Sequence, residues 1–349
     1  MSQEFKEISL RGKMVKVPAV TVENRTVLAL GKWVRMASVH DEVWLEGEGV
    51  KDPAAAVVKI KSVLKADLFT FAQKIPDTQP KHPYRMEWDN VAAIPLTTYK
   101  NWWENEIPQE SRKNVRRGGK RGVTVRAADL DDEFIRGITE IYNETPVRQG
   151  KPFPKYGQDF ETVKRDVAQL LERSQFIGAY LGTELIGFIK VVFIGRVASI
   201  LSINSKNCHF DKRPTNILMA KAVEIAAERG MTHLIYGRYA YGNKAASPLT
   251  EFKRRNGFVQ IDLPRYYIPL SLRGRFILAI NAHRGLIGML PGSVVDFLVR
   301  ARAWGFETFS KRAGGSKPET QKDEPTEAED KPAKVAPKIP GAKAAANEG

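Results

Sequence analysis

Lys212-Arg213-Pro214-Thr215-Asn216 sets two cations, a proline and two short polar side chains directly ahead of a helical apolar pattern. Pro214 suits a first helical position, where its missing N–H is an orphan in any case. Ile217, Leu218, Ala222, Ile225 and Ala226 share one face, and Gly230 is the stop signal. No acid stands in the first turn. Backbone N–H groups and positive charge at one helix end are what a phosphate needs. Lys212, Arg213, Thr215 and Asn216 are therefore candidate phosphate-binding residues. A second block, Tyr142 to Tyr156, crowds a carboxylate, a guanidinium, amides and aromatics into one loop. Glu144 can serve as a base on an amine if burial raises its pKa. Arg148 can clamp an anion with two hydrogen bonds. The plainer alternative is a helix end stopped by Pro146 with charges facing water.

These residues need elements to hold them. Helical spacing is read over Ala54–Lys65, Leu130–Glu144 and Phe160–Arg173, and over the segment that starts at Pro214. Strands are read at 27–30, 33–37, 42–45, 68–72, 88–95, 123–126, 176–181, 185–194 and 197–203, around Tyr236 and from Phe258. Residues 1–26 show only weak patterning. Residues 97–121 form a basic helical connector, with six Lys or Arg among the eleven residues Ser111–Arg121. That run reads equally as a phosphate site or a solvated helix face.

Gly237-Arg-Tyr-Ala-Tyr-Gly-Asn-Lys244, Leu249-Thr-Glu-Phe-Lys-Arg-Arg-Asn-Gly-Phe258 and the Pro-Thr-Asn helix start together resemble the second half of a GNAT-type acyltransferase. The likeness is nearest the branch of the Fem-type peptidoglycan aminoacyltransferases and covers residues 110–270. It implies an α/β (α+β) GNAT-like acyl-CoA N-acyltransferase fold with a mixed central sheet. Residues 1–96 would be an abbreviated N-terminal GNAT-like half, 97–121 the connector and 122–270 the acyltransferase domain. Residues 271–312 would be C-terminal helices and 313–349 a disordered tail.

The same likeness implies an N-acyltransferase, moving an acetyl or aminoacyl group to an amine of a cell-envelope or polysaccharide precursor. Its co-substrate would be acyl-CoA (acetyl-CoA) or an aminoacyl-tRNA. The usual phosphate loop of such enzymes carries glycines, and Lys212–Asn216 has none, which keeps a backbone further from a phosphate. Many acetyltransferases place a tyrosine acid where Lys253 stands here. Tyr241 of the neighbouring loop is the candidate substitute, since a tyrosine titrating near ~10 suits a thiolate. The resemblance implies that Lys212, Arg213, Thr215, Asn216 and Asn243 bind the acyl donor. Tyr142, Arg148, Gln149 and Tyr156 form the candidate acceptor site, and Glu144 the candidate base. The alternative is an RNA- or anionic-surface-binding protein on an inactive GNAT fold, using Arg112–Arg121 with Trp102 and Trp103.

Charge supports an anionic partner. Lys and Arg number 55 against 40 Asp and Glu, a net +15, in a chain of 349 residues. From Lys311 onward basic and acidic residues nearly cancel, so the excess lies in the core-forming part. The single Cys208 excludes an internal disulfide. The five histidines show no metal-ligand spacing, and no metal is expected. With no leader-like start and no apolar run of ~18 residues, a cytoplasmic protein is expected. Arginines and apolar residues in 271–312 add peripheral contact at the inner face of the membrane as an option.

Overall fold

A meander opens the chain: β1 (Glu4–Leu10), β2 (Lys13–Val22), β3 (Arg25–Leu30) and β4 (Met36–Val39), each antiparallel to the last. The helix α1 (Pro53–Val63) crosses to β5 (Leu68–Ala72), which runs parallel to β4, and β6 (Arg85–Pro95) follows. A short turn α2 (Tyr99–Asn101) passes into a π-helical turn, Trp102–Glu106, and then α3 (Gln109–Lys120). The plan then repeats. β7 (Val123–Ala128) leads to α4 (Asp132–Asn143), the small hairpin β8 (Val147–Arg148) and β9 (Lys151–Pro152), and α5 (Phe160–Val167). β10 (Ser174–Leu181), β11 (Glu184–Ile194) and β12 (Val197–Ser205) are antiparallel neighbours. α6 (Pro214–Glu228) crosses to β13 (His233–Ile235), parallel to β12. α7 (Pro248–Arg255), β14 (Val259–Pro269) and α8 (Leu272–Ala279) complete the order. This computed structural model describes residues 4–10, 13–40, 42, 49–148, 151–240 and 247–284, all within the unit Met1–Met289.

Among the described residues one mixed sheet of twelve strands runs β1-β2-β3-β4-β5-β14-β6-β13-β12-β11-β10-β7. Each half contributes a meander, a crossover helix, a parallel strand and a last strand. The last strands are exchanged: β6 pairs with β13, and β14 pairs with β5. β14 and β6 then pair antiparallel from Val259↔Ala93 to Tyr267↔Arg85, so the seam is hydrogen-bonded throughout. The halves differ at two places: α7 stands between β13 and β14 with no helix between β5 and β6, and the second difference lies at the first connection. Only residues 11 and 12 part β1 from β2, whereas α4, β8, β9 and α5 stand between β7 and β10.

Local chemistry sets the element ends. Asp52 caps α1 by accepting the Ala55 N–H (3.0 Å), Pro53 takes the first position, and Ala56, Ile60 and Val63 are buried. Asp131 caps α4, whose inner face is Phe134, Ile135, Ile138, Ile141 and Tyr142. The helix expected through Arg173 stops at Val167. The buried Lys190 ammonium takes the Val167 carbonyl (2.8 Å) and the Gln169 carbonyl there, a cation on a helix C-terminus. Leu170 then turns left-handed (φ 56°) into a 3₁₀ turn, Leu171–Arg173. The weakly patterned first residues form β1 and β2. Their buried set, Val17, Ala19, Val20 and Val22, breaks strict alternation. Of the strand expected at 42–45 only Glu42 is described, and it lies in a turn; residues 43–45, the second C-terminal helix and the tail lie outside the described residues.

Candidate functional site

β12 pairs with β13 only through Val197–Ser199. Beyond that point the two strands part, and β12 runs on to Ser205. A cleft of about 520 Å³ opens there, walled by the end of β12, the start of α6, α7 and Ser111 of α3. Ile203, Tyr236, Leu249 and Phe252 give it apolar surface, while Asn204, Asn207 and Asn216 give it amides.

The start of α6 forms one wall. Arg213 is its N-cap in a left-handed conformation (φ 56°, ψ 41°), with no side-chain cap and no acid in the first turn. Pro214 has no N–H, and the N–H groups of Asn216 and Ile217 turn back to the Arg213 carbonyl (3.1 and 3.4 Å). Side chains must therefore supply most of the attraction for an anion. The Arg213 guanidinium lies 4.9 Å over the exposed Phe210 ring, and its buried Nε has no hydrogen-bond partner among the described residues. The hydroxyls of Ser205 and Thr215 meet at 3.2 Å. Of the candidate donor residues, Arg213, Thr215 and Asn216 thus line the cleft. Lys212 turns aside to Asp211 (3.4 Å), which also pairs with Arg121 (3.1 Å). α3 is pressed against this terminus at Gly118, where a Cβ would meet the Lys212 carbonyl at 2.6 Å and overlap Ile217.

The acceptor-side residues separate. Arg148 lines the cleft, donating to the carbonyls of Ser205 (3.1 Å) and Ile141 and lying 4.3 Å over Phe153. Glu144 stands 3.8 Å from Arg148 and accepts the N–H groups of Asn207 (2.6 Å) and Cys208 (2.8 Å). Desolvation pushes its carboxyl up, but those two N–H groups and the Arg148 charge outweigh it and hold the pKa below the ordinary value. The condition for Glu144 to act as a base, a carboxyl raised by burial, therefore runs the other way. Tyr142 is buried in the α4 core against Phe153 and Phe188, and burial raises its pKa. Tyr156 is exposed on the loop after β9 and does not line the cleft. Gln149, Tyr241 and Asn243 lie outside the described residues.

Lys253 is fully buried behind the cleft. Its ammonium donates to the Arg238 carbonyl and lies 5.0 Å from the Tyr236 ring. Burial lowers its pKa to about 8. It supports Tyr236, which does face the cleft. Glu251, also on the wall, is held at about 2 by hydrogen bonds from Arg254 and Arg255 and is a poor base. Ser111, Asn204, Ser205 and Phe210 had no sequence reading as site residues. For Asn204 and Ser205 the signal is the mostly polar segment Ser202-Ile-Asn-Ser-Lys-Asn207 closing an apolar strand; Ser111 and Phe210 carry none.

The first half carries the counterpart of this helix start, and it is filled. Glu23 accepts the N–H groups of Lys51 (2.9 Å) and Asp52 (2.7 Å), and the Asp52 carboxylate caps Ala55. Two carboxylates sit where α6 has none, so the α1 terminus disfavours an added anion. A cleft of about 850 Å³ lies beside this end. Among the described residues no three His, Cys, Asp or Glu side chains gather to hold a metal ion.

No protein-family model matches the sequence, and no curated protein matches it. Solved structures do. FemX superposes with a TM-score of 0.52 at 13% identity, over 80% of this chain and 90% of that one. The C-terminal domain of a putative lysylphosphatidylglycerol synthetase from Agrobacterium fabrum gives 0.49 at 13%, over 75% and 87%. A tandem GNAT protein from the clavulanic acid biosynthesis pathway gives 0.40 at 11%, over 73% and 83%. At these identities the likeness is one of fold: the chain has the fold of FemX.

Proposed function

We propose that the protein is an N-acyltransferase whose donor lays a phosphate group at the start of α6 and its acyl group in the gap between β12 and β13. The observation that carries this reading is the contrast between the two crossover helices. The α6 terminus is uncapped, cationic and open to a cleft, whereas the α1 terminus is occupied by Glu23 and Asp52. An acceptor amine enters from the side of β8 and Arg148. Its lone pair attacks the acyl carbonyl carbon, the bond to the donor's oxygen or sulfur breaks, and the amine's proton passes to that leaving group. Arg213 and Arg148 supply positive charge near the developing oxyanion. Neither Glu144 nor Glu251 is held as a base, so the acceptor is best presented as a neutral amine.

Acyl-CoA and aminoacyl-tRNA both bring the required phosphates. The resemblance of the sequence to the Fem-type enzymes, and a helix start without glycine, favour an aminoacyl donor and an amine of an envelope precursor. Labelled acetyl-CoA and labelled aminoacyl-tRNA, each offered with amino-sugar and peptide amines, test the reading. Transfer from one donor, lost in Arg213→Ala, is the expected result. If neither donor binds, transfers or hydrolyses, the reading fails.

The outward cations of α3, Lys113, Arg116, Arg117 and Lys120, favour the RNA-binding alternative. The aromatic part of that alternative is weakened, because Trp102 is buried and donates its indole N–H to the Asn256 carbonyl (3.0 Å). A steep salt dependence of RNA binding without any transfer would favour it.

A further inference from the structure

α8 is apolar on the side that faces water. Its inner face, Ile277 and Leu278, packs on Leu68 with Val34, Met36 and Tyr267 around it. Gly274 presses so closely on the Asp67 carbonyl that a Cβ would collide with it. Ser271 caps the start, accepting the Gly274 N–H (3.0 Å) and donating to the Asp67 carboxylate (3.1 Å). The helix cannot roll, so its outer row is fixed. That row is Leu272, 79% exposed, then Phe276, 64% exposed, and Ile280, spaced one turn apart. A water-facing helix places polar residues there.

The patch extends beyond the helix. Arg273 donates to the carbonyl of Trp33, in the turn between β3 and β4. Trp33 is 83% exposed, and its neighbour Val34 packs under α8. At helical spacing Arg273 and Arg275 fall on either side of the Leu272–Phe276 row, and Lys32 adjoins Trp33. Residues 271–284 and 31–35 contain no acid. The nearby Asp67 carboxylate is committed to the Arg35 N–H (3.0 Å) and Ser271. Past Arg284 the sequence continues Gly-Leu-Ile-Gly-Met-Leu290, without a charge.

We infer that Trp33 and the outer face of α8 form a docking surface for an anionic phospholipid bilayer. Leu272 and Phe276 enter the acyl boundary, Trp33 sits at the headgroup level, and Arg273, Arg275 and Lys32 meet the lipid phosphates. Charge complementarity decides for lipid over a protein partner: the rim is cationic on both sides, and among the described residues the nearby carboxylates, Asp67 and Glu87, are already committed to partners within the chain. No helix among the described residues is long and apolar enough to cross a membrane, so contact here lies in the plane of the surface. The inference does not depend on acyl transfer.

Flotation of the full chain with phosphatidylglycerol vesicles, against phosphatidylcholine vesicles, tests it. Binding to the anionic vesicles at low salt, reduced by added salt, is expected. The double variant Leu272→Ser, Phe276→Ser, and separately Arg273→Glu with Arg275→Glu, should each bind on the order of tenfold more weakly or worse. Both change exposed side chains, and unchanged melting curves confirm that the fold is kept. Brominated lipid should quench fluorescence in the full chain, and Trp33→Phe should remove part of that quench. Failure to float at low salt, or variants that float like the parent, overturns the proposal. So does concentration-dependent self-association lost in Phe276→Ser without vesicle binding, which would make a second copy the occupant.

Discussion

The Glu144 carboxylate accepts the Asn207 N–H at 2.6 Å across sixty-three residues of chain. With the Cys208 N–H at 2.8 Å, this clasp ties the end of α4 to the 3₁₀ turn Asn207–Lys212 that delivers Arg213. Glu144 therefore positions the α6 wall of the cleft. Glu144→Gln keeps one acceptor oxygen and loses the charge, leaving one N–H poorly served. Donor affinity should fall by about 1–2 kcal/mol, roughly tenfold, and more in Glu144→Ala. The charge contributes only above its lowered pKa. The contribution is thus whole above the ordinary carboxylate range and disappears as pH falls through the folded value. Direct donor titration of both variants checks this. Unchanged donor affinity with abolished turnover would return Glu144 to the role of base.

Gly118 sets how near α3 lies to the start of α6. In Gly118→Ala the new Cβ would meet the Lys212 carbonyl at 2.6 Å and strike Ile217. Ile217 follows the α6 cap, so the strain is applied beside Arg213. A loss of roughly 1–3 kcal/mol of stability is expected, together with weaker donor binding. Urea denaturation and donor titration on the same sample measure the two effects. A variant as stable as the parent would show that the two helices separate freely.

The exchanged strands carry a buried ion network. Arg265 of β14 donates to Asp89 of β6 (2.9 Å) and to Glu42 (2.8 Å), and Asp89 also receives Arg238 (2.9 Å) from the segment after β13. Desolvation opposes the Asp89 charge, but Arg265 above all, with Arg238, outweighs it and lowers the carboxyl. Asp89→Ala strands Arg265 against one partner and should lose about 3–5 kcal/mol. Asp89→Asn keeps hydrogen bonds and should lose less. Chemical denaturation at neutral pH decides the order, and equal losses would refute the ionic account.

From residue 122, α4, α6 and β10–β12 were legible because their apolar periods are unbroken, whereas the hairpin β8–β9 reads as loop and the expected α5 is six residues too long. The exchange of β6 and β14 was not, since neither strand's own pattern says which neighbour it takes; pairing is decided by distant chain. The start of α6 could be read because Pro214, the cations and the missing acids are local. Tyr142 was drawn toward the acceptor site by its polar neighbours, yet its spacing from Ile138 and Ile141 sends it into the core. The partners of Glu144 lie on another element, and nothing near Glu144 in the chain announces them. Glu23 gave no sign at all, although it fills the counterpart helix end.

Lys190 provides a test of burial through pH. It is almost fully buried, its Nζ holds the Val167 and Gln169 carbonyls at the end of α5, and it lies 5.4 Å from the Phe176 ring. Burial is the main cause that lowers its pKa to about 8, with the Glu172 charge opposing. In the unfolded chain a lysine keeps its proton to about pH 10.4. Between those values the unfolded state binds more protons, so stability rises with pH. Below about pH 8 the folded protein bears the full penalty of a buried ammonium, of order 3 kcal/mol. Lys190→Met has no proton to release and lacks this slope. The parent should therefore gain stability relative to Lys190→Met from about pH 8 to pH 10. Lys253, at about 8 from burial alone, should behave alike in Lys253→Met, which would also disturb Tyr236. Taking the difference between parent and variant cancels the tyrosines that begin to titrate near the top of that range. Denaturation midpoints across the window supply the measurement. Parallel curves for parent and Lys190→Met would mean that the ammonium is not desolvated, and the α5 cap would then have to be solvent-assisted.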